Sequence, residues 1–282
     1  MILIADGGST KCDWILLDYA GEIVLKTRTL GLNPAVFKEN ILLERILENK
    51  DLEKYKQKVT QLFFYGAGCG TETPKFTLQE IFKSFFTNAT VAVKEDTYAA
   101  VHATTSVPGI VCILGTGSNS SFFDGETVEN VVPSLGYILM DEASGNYFGK
   151  KLIRDYYYKK MPEDLRNKFS KNFDLDPDII KLNIYQKDNP NAYLASFAEF
   201  IFRNERNEYF NYVIQKGIKD FFKNKIRVFE NHKTVPVHFV GSIAYFSSDI
   251  IHKVAKKHNV TIGSIIRRPI DGLIEFHRNK LK

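Results

Sequence analysis

One device occurs twice in this chain and limits what it can fold into. "ILIADGGSTKCDWILLDYAGE" runs from apolar residues to Asp6, through Gly7, Gly8, Ser9 and Thr10, and into a second apolar run that ends at Asp18 before a reverse turn. Further along, "GIVCILGTGSNSSFFDGE" repeats the order: an apolar run, a Gly/Thr/Ser turn, a second run, then Asp124 and Gly125. Each copy reads as strand, small-residue turn, strand. A chain of 282 residues has room for two modest domains. Two copies of one strand–turn–strand unit therefore predict an internal duplication. The boundary is placed in "SVPG", Ser106–Gly109, where turn residues cluster.

The rest of the pattern supports an α/β fold. "MILIA", "DWILLD" and "EIVLKTRTL" predict an antiparallel meander. A helix is predicted from Asn33-Pro34 through "NPAVFKENILLERILENK". The strand "TQLFFYGAGCG", the helix "TPKFTLQEIFKSFF", the strand "ATVAVKED" and the helix "DTYAAVHATT" follow. The second half predicts helices over "DEASGNYFGKKLIRDYYY", "NAYLASFAEFIFRNE" and "EYFNYVIQKGIKDFFKNK". After them come the strand "VPVHFVGS", the helix "SSDIIHKVAKKHN", the strand "VTIGSII" and a last helix, "DGLIEFHRNK". The expected organisation is an N-terminal lobe over 1–107, a C-terminal lobe over 108–270, and a helix over 271–282 that packs back on the first lobe.

Composition removes several classes of function. Net charge is +5 with acids and bases interspersed, so no basic patch or tail favours nucleic acid. No run approaches the roughly 20 apolar residues of a membrane span, and the first residues lack the basic start of a secretory signal. Cys12, Cys69 and Cys112 lie far apart without a C-x-x-C pair, which disfavours disulfides, zinc and an iron–sulfur cluster. A cytoplasmic location is expected. "GAGCG" lacks the third glycine of a dinucleotide loop because Thr71 stands there, and no G-x-x-x-x-G-K-[ST] occurs.

The two turns carry the chemistry. Gly lets a ligand approach the backbone, and successive N–H groups with nearby hydroxyls suit phosphate oxygens. One such turn is weak evidence, since glycine hairpins are common. Two of them, in related halves, suit a polyphosphate gripped from both sides. An acid beside such a turn repels phosphate unless a cation intervenes, so Asp6 points to Mg²⁺ held through water. Taken alone, Asp6 is equally a turn-opening residue.

These pieces resemble the acetate and sugar kinase/heat-shock-70/actin superfamily. "IADGGSTKCDWILLD" resembles its first phosphate motif, "GIVCILGTGSNSSFFDG" its second and "VPVHFVGSIAYF" its adenosine motif. Within it, "LGTGSNSSFFDG" followed by "LGYILMDEASGNYFGKK" is similar to the N-acetylglucosamine kinases and the related BadF/BadG/BcrA/BcrD-type ATPases. The resemblance spans essentially the whole chain. It implies two ribonuclease-H-like lobes, each a mixed five-stranded sheet flanked by helices, around a cleft for ATP and sugar.

It also implies roles. Gly7, Gly8, Ser9 and Thr10 would cradle the β- and γ-phosphates, with Asp6 orienting hydrated magnesium. Thr116 and Gly117 would form the second phosphate loop and, with Asn119, reach the sugar. Asn33, Gly68, Asp141 and Gly145 would line the sugar site, and Gly241 and Ser242 the nucleotide. Asp96 takes the catalytic-base position, although an acid there is also a natural helix cap. Asp141 could accept two neighbouring sugar hydroxyls, and Glu142 would support its loop.

The implied reaction is ATP-dependent phosphorylation of an amino sugar, N-acetylglucosamine or a related cell-wall-derived sugar. The rival readings are an ATPase that activates a partner enzyme and a non-catalytic sugar sensor. Related kinases commonly form dimers, so a homodimer is an expectation from resemblance alone. Two departures stand out. Leu135 replaces an aromatic, which bears on N-acetyl recognition, and the chain is short for the family, which suggests trimmed loops.

Overall fold

Ile2–Gly7 (β1) and Lys11–Leu17 (β2) form an antiparallel pair, in register from Ile2 with Leu17 to Gly7 with Cys12. Ile23–Leu30 (β3) adds antiparallel to β2. After helices Glu39–Leu47 (α1) and Lys50–Tyr55 (α2), strand Gln61–Gly66 (β4) pairs parallel with β1. Helix Glu72–Phe85 (α3) then crosses to Thr90–Glu95 (β5), which pairs parallel with β4. The sheet order is β3-β2-β1-β4-β5. The computed structural model describes residues 1–279. It divides into two compact units, residues 1–103 with those from 268 onward, and residues 104–267.

Both faces of the first sheet are covered, which is why β1 reads as an unbroken apolar run. Side chains alternate across the sheet. Leu3, Ala5, Trp14, Leu16, Leu62 and Phe64 face a core that includes Leu42, Ile46, Leu78 and Phe82 from α1 and α3. Ile2, Ile4, Ile15, Leu17 and Tyr65 face Ala99, from helix Asp96–Thr104 (α4), and Ile270, Leu273 and Ile274, from the C-terminal helix Pro269–Asn279. Trp14 is fully buried, with Phe82 edge-on at 5.9 Å, and its indole N–H donates to Thr29 Oγ1 at 3.1 Å.

The helix predicted from Asn33-Pro34 starts later, at Glu39, and is cut into α1 and α2. Asn33 folds a turn instead: its side-chain oxygen accepts from Ala35 N–H, and its carbonyl from Val36 and Phe37. Asn49 ends the first helical run and caps the second, accepting from Leu52 N–H. In both places a short amide side chain competes for backbone groups that a continuous helix would have used.

The second unit repeats the first sheet. Gly109–Leu114 (β6) pairs antiparallel with Ser118–Phe123 (β7), which pairs with the short Val128–Glu129 (β8). Helices follow at Gly145–Tyr157 (α5), Glu163–Asn172 (α6), Pro177–Tyr185 (α7), Pro190–Ser196 (α8), Glu199–Arg203 (α9) and Glu208–Phe221 (α10). Strand Val237–Val240 (β9) pairs parallel with β6. Helices Ser242–Phe246 (α11) and Ser248–His258 (α12) lead to Ile262–Ile266 (β10), parallel to β9. The order β8-β7-β6-β9-β10 matches β3-β2-β1-β4-β5 strand for strand.

Sequence patterning passed over α6 and α7. Their buried apolar residues are few: Leu165 and Phe169 in one, Ile180 in the other. "NAYLASFAEFIFRNE", expected as one helix, is α8 and α9 with a break at Phe197–Ala198.

His238, in the middle of β9, is buried and has its Nδ1 accepting from Ser264 N–H at 3.0 Å. Its proton therefore sits on Nε2, which is buried without a partner. Burial pushes the imidazole pKa below its usual value. The unfolded chain then takes up a proton that the fold refuses, so stability should fall as pH drops below about 6.5. His238→Asn keeps an acceptor near Nδ1 and does not titrate. Melting temperatures measured from pH 7.5 down to 5 should fall less steeply in the variant than in the wild type.

Candidate active site

The carboxyl ends of the parallel strands β1, β4 and β5 carry Asp6, the Gly66–Gly70 loop and Glu95-Asp96. Such strand ends are where open α/β sheets present ligand sites. The turn after β1 is held from behind. Leu32 N–H donates to the Gly8 carbonyl and Gly31 N–H to the Thr10 carbonyl, both at 3.1 Å. Gly8 N–H closes the hairpin on the Lys11 carbonyl at 2.8 Å. The N–H groups of Ser9 and Thr10 have no acceptor among the described residues.

The glycines of this turn do different work. A Cβ on Gly7 would strike the Phe64 ring at 2.5 Å, so Gly7 is required by the core beneath it. A Cβ on Gly8 would meet only the Lys11 carbonyl, at 3.7 Å, so the open approach is at Gly8. Asn33 is buried and ties the turn to the following loop, its amide donating to Ser9 Oγ at 2.8 Å. Gly68 packs directly against the Asn33 side chain. Asn33 and Gly68 are thus brought to the first turn.

Asp6 and Asp96 share an unfavourable charge environment. Burial, then Asp13, pushes the Asp6 carboxyl up to about 7. Burial, then Glu95 and Asp6, pushes Asp96 up to about 7, although N–H groups of Thr97 and of Asp96 itself donate to it. Asp13 differs: burial pushes it up, but Lys11 and Arg28, each bonded at 2.6 Å, bring it below the usual range. Asp13 is therefore neutralised by protein cations, while no donor among the described residues reaches the Asp6 carboxylate.

The second unit builds the matching turn by the same rule. Gly145 N–H donates to the Gly115 carbonyl at 2.8 Å and Asn146 N–H to the Thr116 carbonyl at 3.0 Å. Again the carbonyls are tied back, here by the start of α5, whose cap is Ser144. Asp141 is buried beside this turn. Its Oδ1 accepts from Ser118 N–H at 3.2 Å and its Oδ2 from the Asn146 amide at 2.9 Å. A Cβ on Gly117 would come within 2.9 Å of Asp141 Oδ2, so the two are in contact. Gly241, with φ +119°, lies against the Leu114 carbonyl in a conformation that side-chain-bearing residues avoid, and Ser242 opens α11.

The structure thus groups Asp6, Gly7, Gly8, Ser9, Thr10, Asn33, Gly68 and Asp96 in the first unit. It groups Thr116, Gly117, Asp141, Gly145, Gly241 and Ser242 in the second, with Asn119 buried on β7 next to Ser118. Sequence reasoning missed Asn146 and Lys150. Lys150 donates to the Tyr137 carbonyl; burial lowers its pKa, opposed by Asp141. Asn146 had a usable signal, standing two residues past a Ser that reads as a helix cap. Leu135 is exposed, as are Ile138 and Leu139. All three cysteines are free and buried, with thiol pKa values pushed up by burial.

No family model matches the chain. Solved structures do. The candidate N-acetylglucosamine kinase of Porphyromonas gingivalis is 33% identical, covers 99% of both chains and superposes with a TM-score of 0.91. A second candidate N-acetylglucosamine kinase, from Chromobacterium violaceum, is 14% identical over 100% of this chain and 98% of its own, with a TM-score of 0.72. A glucokinase of the ROK family from Streptomyces griseus, solved with glucose and AMPPNP, shares the fold at a TM-score of 0.59 and 14% identity, covering 98% of this chain and 97% of its own. Against these chains the expectation of trimmed loops is not met, since each is matched almost end to end. With its two mixed five-stranded sheets of equal topology and full-length identity of 33% to the first of these proteins, the chain belongs to the N-acetylglucosamine kinase-like family of the sugar kinase/heat-shock-70/actin superfamily.

Proposed function

We propose that the protein is a sugar kinase that transfers the γ-phosphate of ATP to a hydroxyl of an amino sugar, with N-acetylglucosamine the leading substrate. The observation that carries this reading is the pair Asp6 and Asp96, two carboxyls raised to about 7 beside a turn with unengaged N–H groups. A structural sheet end has no reason to hold two acids in mutual repulsion. A kinase has one, because it must hold the cation that accompanies the phosphates and accept a proton from a sugar hydroxyl.

In this reading Asp96 is the general base. Its raised pKa lies near neutrality, where a base combines availability with driving force. Ser9 and Thr10 supply N–H groups and hydroxyls to phosphate oxygens, with Gly8 giving the open approach. Thr116 and Gly117 do the same from the second unit, and Gly241 and Ser242 flank the nucleotide. Asp141 accepts two sugar hydroxyls on the lone pairs left by Ser118 and Asn146. Asn119, Gly145, Asn33 and Gly68 shape the sugar site. Asn33 acts mainly through Ser9, because both ends of its amide already bond protein groups.

Magnesium fits Asp6. Its carboxylate lacks a protein donor, and no three His, Cys, Asp or Glu residues converge on a complete metal set among the described residues. One carboxylate completed by water and phosphate is the donor set magnesium prefers. When bound, the ion would offset phosphate charge during transfer.

The test is ATP consumption with a panel of hexoses and amino sugars, with the phosphorylated product identified by mass spectrometry. Turnover that requires an amino sugar is expected. ATP hydrolysis independent of any sugar would favour the partner-activating ATPase. Sugar binding with no turnover would favour the sensor.

A further inference from the structure

Helix α10 ends in an unusual way. Phe222–Ile226 widens into a π-turn, and Arg227 N–H reaches back five residues to the Phe222 carbonyl at 3.0 Å. Such an inserted residue rotates the side chains after it out of ordinary helical register and is often found at functional sites. Here it sets Asn224 and Lys225 next to the segment that carries Asp141.

Both neighbours of Asp141 are held from this turn. Asn224 Nδ2 donates to Glu142 Oε1 at 2.8 Å. Lys225 Nζ lies 3.8 Å from Met140 Sδ. The Lys225 carbonyl accepts from Ser120 Oγ at 2.8 Å, which fastens the π-turn to β7. The same strand supplies the Ser118 N–H that binds Asp141.

Lys225 is only 1% exposed, and a thioether is a poor partner for an ammonium. Compensation comes from the nearby Glu142 and Asp141 charges, which oppose the lowering effect of burial on the amine. Glu142 Oε2 is itself buried without a hydrogen-bond partner. The segment gripped in this way is strained: Asp141 has φ +73° and Ala143 φ +56°, a region side-chain-bearing residues adopt at a cost. Strain of this kind persists only where surrounding contacts over-determine it.

We propose that Asn224 and Lys225 are positioning residues for Asp141, holding Met140 and Glu142 so that the strained 140–143 backbone presents the Asp141 carboxylate to sugar. They set sugar affinity without touching the sugar. The part concerning sugar rests on the kinase reading above; the part concerning the backbone does not.

The test uses Asn224→Ala, Lys225→Met, Asn224→Asp and the double variant Asn224→Asp with Glu142→Gln. Asn224 is exposed, so its variants retain the fold even if Lys225→Met does not. In the three single variants the KM for sugar should rise about 10–100-fold, the scale known for residues that orient metal ligands, while kcat and the KM for ATP stay within about threefold of wild type. Asn224→Asp should be worse than Asn224→Ala, because it sets two carboxylates face to face. The double variant should recover, because the amide introduced at position 142 can donate to the carboxylate introduced at position 224. Unchanged sugar KM in folded Asn224→Asp, or no recovery in the double variant, overturns the proposal. If the wild type phosphorylates no sugar, the kinase reading fails, and hydrogen exchange decides the backbone claim. Amides of 140–146 should then exchange about tenfold faster in Asn224→Asp, with β6 and β9 unchanged; wild-type exchange rates there overturn it.

Discussion

Asp96→Asn is expected to lower kcat by about 10²–10⁴-fold, the usual contribution of a positioned general base, with nucleotide affinity retained. The substitution separates the two roles the position could have. Asp96 begins α4, and Asn caps a helix as well as Asp. A residue that only capped the helix would therefore survive the change with normal turnover. Wild-type kcat/KM should fall as pH drops through about 7, where the free enzyme's base takes up its proton. Asp6 titrates in the same range and the two interact, so that acid limb belongs to the pair.

Stability gives an independent sign. A carboxyl raised from 3.8 to about 7 favours the fold at low pH, and this contribution is lost as pH rises from about 4 through 7. Removing that charge should raise the melting temperature of the ligand-free protein at pH 8. Near-normal turnover, or a lower melting temperature at pH 8, would sink the assignment.

Asp141→Asn is expected to reduce kcat/KM for the sugar by about 10²–10⁴-fold, with the KM for ATP unchanged. Two hydrogen bonds from sugar hydroxyls to a charged acceptor, each contributing about 1.5–3 kcal/mol, set that range. Asn is chosen over Ala for two reasons. It tolerates the left-handed backbone that position 141 adopts. It also keeps an acceptor for Ser118 N–H, and Asn146 can turn its amide to meet the new donor. Steady-state kinetics in each substrate separately checks this. A rise in the KM for ATP alone would move Asp141 out of the sugar site.

Much of this architecture was legible because its signals are local. Continuous apolar runs beside the turns at Gly7–Thr10 and Gly115–Gly117 marked β1, β2 and β6, the repeated order of strand, turn and strand marked β7, and Asp96 stood out at the junction of β5 and α4. Local signals failed where packing or side-chain competition decides. α6 and α7 bury too few apolar residues to announce themselves, and Asn33 and Asn49 cut a helix that apolar spacing alone would continue. β7 is a core strand that opens on Ser118, Asn119, Ser120 and Ser121, all buried, which inverts the usual expectation for polar residues.

The amino-acid sequence alone determined the duplicated strand–turn–strand plan, the acids at the strand ends and the absence of phosphate-loop and dinucleotide motifs. Each depends on residues adjacent or nearly adjacent in the chain. Only the tertiary structure decided that Gly7 serves the Phe64 ring while Gly8 is open, and that Asn33 braces Ser9. It also decided that Asp6 and Asp96 interact, and that a π-turn far along the chain grips both neighbours of Asp141. These relations join residues distant in sequence through burial and geometry, and local patterning carries no record of which distant side chains will meet.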